Sequence, residues 1–271
     1  MGRLAAVAAA CLAVLAPATA AADTGILAIG DFGVGGSTER RMGAAMRGYA
    51  AHRVVNALAT LGDNDYTESP AAFHRNWTEG FGWAARRGRI AGALGNHDIR
   101  VQGGRYEFDE LRMPSRYYKR RIGDVAFVVL DSNSVGRTQT AWLRRALAQV
   151  TARWTVVAFH HPAFSCGAYR GHPGVVERWV PVFERYDVDL VLAGHDHNYQ
   201  RFRPRNGVRY IVHGGGGASL YPIARCPAGY PRRAVARRVH GWLYLRSTGT
   251  GLRIKAVRPD GTVLDAFTIY P

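Results

Sequence analysis

Five short clusters in this sequence gather the side-chain types that hold metal ions. They are Asp31; Asp63 with Asn64, Asp65 and Tyr66; Asn96 with His97 and Asp98; His160 with His161; and His195 with His197. Carboxylates bring negative charge and can bridge two cations, imidazoles suit zinc and iron, and oxygen donors suit harder ions. A lone Asp after a strand is usually a turn or a helix cap. Five clusters, each placed the same way, are hard to explain as turns. His195 and His197 lie two residues apart, so on an extended segment they point the same way. They then reach one cavity and two neighbouring ions.

Each cluster follows a short apolar run, which is how a buried strand reads. The runs are Ile26–Ile29, Val54–Leu61, Ile90–Leu94, Val156–Phe159 and Val188–Leu192. Two further runs are Val125–Leu130, ending at Asp131, and Val208–Val212, ending at His213 and four glycines. Helical patterns lie between them over 38–50, around Phe73, Trp77 and Phe81, and over 139–149 and 174–185. The last 30 or so residues alternate as short strands. Strands alternating with helices imply an α/β fold with covered sheets, and the late strands imply a mixed sheet or two packed sheets. Ligands of such sheets sit at the C-terminal strand edge, where all five clusters fall. The stretches 99–118, 163–173 and 214–236 read as loops around that edge.

The chain has 271 residues, enough for one full core. Residues 1–22 read as a signal peptide, with Arg3, an apolar run to Ala16 and an Ala-x-Ala site at Ala18–Ala20. Residues 23–271 are then expected as one domain, secreted or periplasmic, without a membrane span. Two cysteines remain, Cys166 and Cys226, and sequence leaves open whether they pair. There are 36 Lys and Arg against 20 Asp and Glu. The basic residues fall in short scattered groups, so no stable nucleic-acid partner is expected, and the charge reads as solvated surface or weak steering of anions.

The ordered motifs GDFG (30–33), GDNDY (62–66), GNHD (95–98), VAFH (157–160) and GHDH (194–197) resemble the calcineurin-like metallophosphoesterase signature. In most of that superfamily a metal-binding His follows the first Asp by two residues. Here that place is Gly33, and Tyr66 stands three residues beyond Asp63. That exchange resembles the small, tartrate-resistant branch of the purple acid phosphatases, as do Tyr117–Tyr118 and the QTAWL stretch at 139–143.

The resemblance implies a four-layer α/β/β/α sandwich with two mixed sheets. It implies a dinuclear centre, with Fe(III) held by Asp31, Asp63, Tyr66 and His197, coloured by the Tyr66 phenolate. The second ion, Fe, Zn or Mn, is held by Asp63, Asn96, His160 and His195, with Asp63 bridging. His97 then assists at the phosphate, and His172 is a weaker substrate-facing candidate because its spacing from His160 is longer than in that branch. His161 either approaches substrate or bonds within its loop. Asp65, Asp98, Asp131 and Asp196 are expected in structural roles.

The reaction expected is hydrolysis of a phosphate monoester, through in-line attack by hydroxide held at the dinuclear centre. The chain lacks a G-x-S-x-G elbow, a P-loop and a CxxxxxR pattern, so no phosphoenzyme is expected. The alternatives are a phosphodiesterase or nucleotidase on the same centre, with a nucleotide as substrate, or an exported protein that binds phosphate or metal without turnover.

Overall fold

The computed structural model describes residues 23–271, so the signal-peptide reading of 1–22 lies outside the described residues. The chain opens with β1 (Thr24–Ile29), α1 (Gly36–Ala50), β2 (Ala57–Leu61), α2 (Pro70–Arg87) and β3 (Arg89–Ala93). The three strands pair in parallel. A short helix, α3 (Arg105–Glu110), precedes β4 (Tyr118–Ile122) and β5 (Val125–Val129). Then come α4 (Arg137–Ala148), β6 (Trp154–Ala158), α5 (Pro173–Arg178), α6 (Val180–Arg185) and β7 (Leu190–Ala193). The strands β8 (Tyr199–Phe202), β9 (Arg209–His213) and β10 (Arg233–Arg237) complete the second sheet. The last three, β11 (Trp242–Thr248), β12 (Gly251–Val257) and β13 (Val263–Ile269), return to the first. The sheet orders are β13-β12-β11-β1-β2-β3 and β10-β8-β9-β7-β6-β5-β4, and both sheets mix parallel and antiparallel pairs.

Strand periodicity explains the layering. Side chains alternate faces along a strand, and here both faces are buried. On β6, Trp154, Val156 and Ala158 join the apolar cluster between the sheets, while Val157 joins the cluster beneath the outer helices. On β7, Leu190 and Leu192 face inward, and Val191 and Ala193 face the other way. The helices α1 and α2 bury Met42, Met46, Phe73, Trp77 and Phe81 against the first sheet. Leu143 and Leu147 of α4 and Val182 and Phe183 of α6 pack on the second. The result is the α/β/β/α arrangement.

Several local expectations change. The stretch 99–118 contains helical turns and α3, because Gly103 and Gly104 take positive φ and let the chain reverse into a helix. The expected helix over 174–185 is two helices broken at Trp179, since Pro181 has no N–H to continue the ladder. The stretch 214–236, read as loop, ends in the edge strand β10. Strands β4 and β8 escaped the reading because charged residues interrupt them, as in YKRRI and YQRF.

Glu39 of α1 is buried and accepts from the Gly35 amide at 3.0 Å. Burial pushes its carboxyl up to about 8 from 4.5. Below pH 4.5 both folded and unfolded chains hold the proton, so no penalty operates. As pH rises toward 8 the unfolded chain ionises while the folded one resists, and stability is lost. Glu39→Gln removes this loss. Relative to wild type, the variant is expected to gain about 1–3 kcal/mol between pH 5 and pH 8, read from denaturant unfolding at both values. A difference that stays constant with pH would show that Glu39 is not held neutral.

Candidate functional site

The parallel strands β1, β2, β3, β6 and β7 all deliver their C-terminal ends to one edge, where the two sheets meet. Their loops are clasped backbone to backbone. The Asp31 amide donates to the Gly62 carbonyl at 3.0 Å, Gly194 to His160 at 3.1 Å, and Gly216 to Gly30 at 2.9 Å. Three residues at this edge, Asp31, Asp63 and His195, take positive φ, the left-handed region that non-glycine residues avoid. Such strain persists only where the surroundings impose it, and it concentrates at functional sites.

Asp31, Asp63, Tyr66, Asn96, His160, His195 and His197 converge there on one cup. Ligand atoms of Asp31, Asp63 and His197 lie within 4.8 Å of one another. Tyr66 joins them, its hydroxyl 3.3 Å from Asp31 Oδ1 and 3.2 Å from His197 Nε2. Beside this group, His160 Nε2 lies 3.1 Å from Asn96 Oδ1, 3.2 Å from His195 Nδ1 and 3.4 Å from Asp63 Oδ2. Asp63 therefore stands between the two groups.

The donor chemistry fits cations. His160 Nδ1 lies 2.9 Å from the Leu61 carbonyl and His197 Nδ1 lies 2.8 Å from the Ser219 carbonyl. A carbonyl only accepts, so each Nδ1 carries a proton and each Nε2 faces the cup, where the neutral imidazole presents its lone pair to an ion. This is the way a ligating imidazole is usually oriented. Asn96 Oδ1 and the carboxylate oxygens are acceptors too. Lone pairs pointed at one another in a buried cup call for positive charge between them.

A proton on His160 also supplies positive charge of the kind that the acceptors around it call for. Burial alone would hold Asp63 neutral, yet the charge and hydrogen bond of His160 hold its carboxyl well below the usual range. Burial opposes charge on His160 too, but Asp63 and Asp31 hold that imidazole up at about 10. Burial pushes Asp31 up. It also pushes the Tyr66 phenol far above its ordinary value, aided by the charges of Asp31 and Asp63.

The neighbouring residues hold the loops. Asp98, fully buried, accepts from the amides of Asn64 (2.7 Å), Asp65 (3.0 Å) and Gly95 (2.7 Å), and so ties the Asp63 loop to the Asn96 loop. Asp65 accepts from the Thr67 amide and the Tyr106 hydroxyl. Asp131 takes the Arg116 guanidinium and the Asn133 amide, and Asp196 takes Ser165 and Asn198. His213 is buried at the end of β9 against the Tyr199 ring.

His97 is half-buried with its ring 4.3 Å from that of Tyr66, and its amide donates to Asp63 Oδ1 at 2.9 Å. Its Nδ1 finds no partner among the described residues. His172 lies farther out. It caps α5, its Nδ1 accepting from the Val175 amide at 3.3 Å, and its ring is 5.8 Å from that of His161.

Three residues carry more than the sequence suggested. His161 offers a ligand atom within 4.8 Å of those of His160 and His195, while Ser132 Oγ holds its Nδ1 at 2.9 Å. Tyr221 stacks on His197 with centroids 4.0 Å apart, and Tyr169 lies 4.3 Å from His195. Both tyrosines sit in stretches read as loops around the site, without any motif to single them out. Cys166 and Cys226, whose pairing was open, form a disulfide between those two stretches.

Gly33 stands where a histidine would be expected. A Cβ built there would run into the backbone of Asn64 and Asp65. Tyr66 reaches the cup because that backbone approaches so closely, its amide donating to the Gly33 carbonyl at 2.9 Å.

Comparison with known proteins agrees with this geometry. A family model described as calcineurin-like phosphoesterase matches residues 24–199, more than half the chain. Tartrate-resistant acid phosphatase type 5 of Rattus norvegicus is 28% identical over 82% of each chain. The same enzyme of Oryctolagus cuniculus is 31% identical over 48% of this chain, a stretch that spans 42% of its own length. In fold, the chain is similar to purple acid phosphatase PPD1 from yellow lupin, with a TM-score of 0.80 at 19% identity over 92% of this chain and 54% of that one. It is also similar to GAP50, the anchor in the inner membrane complex of Plasmodium, with a TM-score of 0.78 at 16% identity over 92% and 89%.

Proposed function

Because the chain belongs to the calcineurin-like phosphoesterase family, we propose that it is an exported, metal-dependent phosphomonoesterase of the purple acid phosphatase kind. The observation that carries this reading is the convergence of seven donor side chains in two adjoining groups that share Asp63. The fold itself does not decide the matter, since an anchor protein is built on it too. The ligand set supports the enzyme reading, because two adjoining donor groups that share a carboxylate suit a pair of ions acting on one phosphoryl group.

In this reading Asp31, Asp63, Tyr66 and His197 hold one ion. A phenol and two carboxylates suit a hard, highly charged cation such as Fe(III). Asp63, Asn96, His160 and His195 hold the second, whose imidazole and amide donors suit Fe, Zn or Mn. Bound there, a pair of cations would clamp the phosphoryl oxygens and lower the pKa of water. The chain's own contribution is position: Asp98 fixes the loops of Asp63 and Asn96, and the Leu61 and Ser219 carbonyls fix two imidazoles. His97, half-buried beside Tyr66 and tied to Asp63 through its amide, is our candidate for exchanging a proton with the leaving oxygen. His172 keeps Nδ1 in its cap, which leaves Nε2–H as a donor to substrate.

Export rests on the sequence of residues 1–22, and the Cys166–Cys226 bond is in keeping with an oxidising compartment. Among the described residues no helix is long and apolar enough to cross a membrane.

The test is hydrolysis of an aryl phosphate monoester across pH by metal-loaded protein, beside a matched diester. Release from the monoester, lost upon chelation and restored by metal, is the expected result. Faster release from the diester would move the assignment to a phosphodiesterase on the same centre. Tyr66→Phe is expected to abolish any visible absorption band of the loaded protein. A band that survives unchanged would show that the phenol is not a ligand.

A further inference from the structure

Tyr169 and Tyr221 stand over the two imidazoles of the GHDH motif. Tyr221 lies flat on His197, with ring planes 10° apart. Tyr169 leans on His195 with planes 33° apart, and the two tyrosine rings meet edge to face at 5.6 Å. Tyr221 is partly covered, but Tyr169 is 44% exposed, one of few large side chains with so much apolar surface in water. Single exposed aromatics are ordinary on a protein surface; this one sits at the mouth of a polar cup.

The pair is also held in place. The Cys166–Cys226 bond joins the two loops, with Cα atoms 4.7 Å apart. The Ala224 amide donates to the Cys166 carbonyl at 2.8 Å, and the Arg170 guanidinium donates to the Arg225 carbonyl at 3.0 Å. The Tyr221 amide donates to the His197 carbonyl at 3.0 Å, so the second loop is fixed to the site itself. A ring fixed before binding loses little freedom when it is stacked upon, and more of the contact appears as affinity.

We infer that Tyr169 and Tyr221 form an aromatic rim that selects phosphate esters carrying a flat aromatic ring, a nucleoside monophosphate being the fullest example. The inference rests on the phosphomonoesterase reading. With the phosphoryl group in the cup, the organic part projects outward past the rim. A ring in that part stacks on Tyr169, and an aliphatic group leaves Tyr169 in water.

A matched pair of substrates tests the rim without a change in chemistry. Adenosine 5′-monophosphate and ribose 5-phosphate present the same kind of primary alkoxide leaving group and differ by the base. The wild type is expected to favour the nucleotide in kcat/KM by about tenfold, the usual scale of one stacked base. Tyr169→Ala and Tyr169→Leu are expected to bring the ratio close to one, and Tyr169→Phe to keep it. Leucine covers the His195 ring without offering a π face, so it separates stacking from shielding. Binding of a non-hydrolysable nucleoside phosphonate, measured by calorimetry, is expected to weaken in step. Equal efficiency on the two esters in the wild type, or a ratio that survives both Tyr169→Ala and Tyr169→Leu, overturns the rim. Failure to hydrolyse any ester would instead overturn the phosphomonoesterase reading on which the rim rests.

Discussion

Asp63→Asn is expected to lower kcat/KM for an aryl phosphate by at least about a thousandfold, the scale of losing a principal electrostatic element of a site. Asp63 faces both donor groups. Its Oδ1 accepts from the His97 amide at 2.9 Å, and its Oδ2 lies 3.4 Å from His160 Nε2. Asparagine keeps the shape but removes the charge, and its amide offers hydrogens where the cup has only lone pairs to accept cations. The proposed bridge is then broken, so bound metal is expected to fall from two ions per chain to one or fewer by elemental analysis. The variant loses the repulsion from Asp31 along with the pairing to His160, so its unfolding is measured beside its rate to separate a lost bridge from a lost fold. A variant that keeps two metals and wild-type turnover would remove Asp63 from the bridging position and the dinuclear reading with it.

The parts legible in the sequence were those written in local chemistry. The strands β1, β2, β3, β5, β6, β7 and β9 announced themselves because each is buried on both faces and therefore reads as a continuous apolar run. The five clusters that hold the cup residues were legible for the same reason. Each lies at the end of such a run, and the fold has only to bring parallel strand ends to one edge. Which seven of their side chains form the cup was implied by the family resemblance. Asp98 was legible as supporting, though not what it supports: its three amide partners belong to residues 64, 65 and 95, whose approach is a tertiary fact.

What stayed hidden depends on distance in space. Edge strand β10 carries the pattern RAVAR, none of it fully buried, so burial wrote no periodicity into it. Tyr169 and Tyr221 lie in irregular loops, and that those loops meet is a tertiary fact, seen in the disulfide and in the hydrogen bonds beside it. The pairing of Cys166 with Cys226 spans 60 residues and depends on a Cα separation that no spacing rule supplies. His161 read either as approaching substrate or as bonding within its loop, and it does bond within the loop, to Ser132. Its ring shares the neighbourhood of His160 and His195 because β6 and β7 are adjacent.

Gly33 was read as a missing ligand, and its surroundings make it a requirement. A Cβ at this position would overlap the Asn64 carbonyl and the Asp65 amide, which are backbone atoms and have no rotamer to change. Nor is the opposing segment free to retreat. Asp98 holds the amides of Asn64 and Asp65, and the Gly33 carbonyl holds that of Tyr66. Gly33→Ala must therefore move residues 63–66 or strain the loop of Asp31. The expected cost is about 3 kcal/mol, the upper part of the range for overpacking a tight interior. That corresponds to a fall in Tm of roughly 6–12 °C for a chain of this size.

Activity is expected to fall further than stability, since the displaced segment carries both Asp63 and Tyr66. An alanine variant with wild-type Tm and rate would show that the two loops have slack. If the loss appears, the exchange of a histidine at 33 for a tyrosine at 66 is more than a substitution of one ligand for another. The backbone that delivers Tyr66 occupies the space that a side chain at 33 would need. The two arrangements then exclude one another, and neither ligand can be moved back alone.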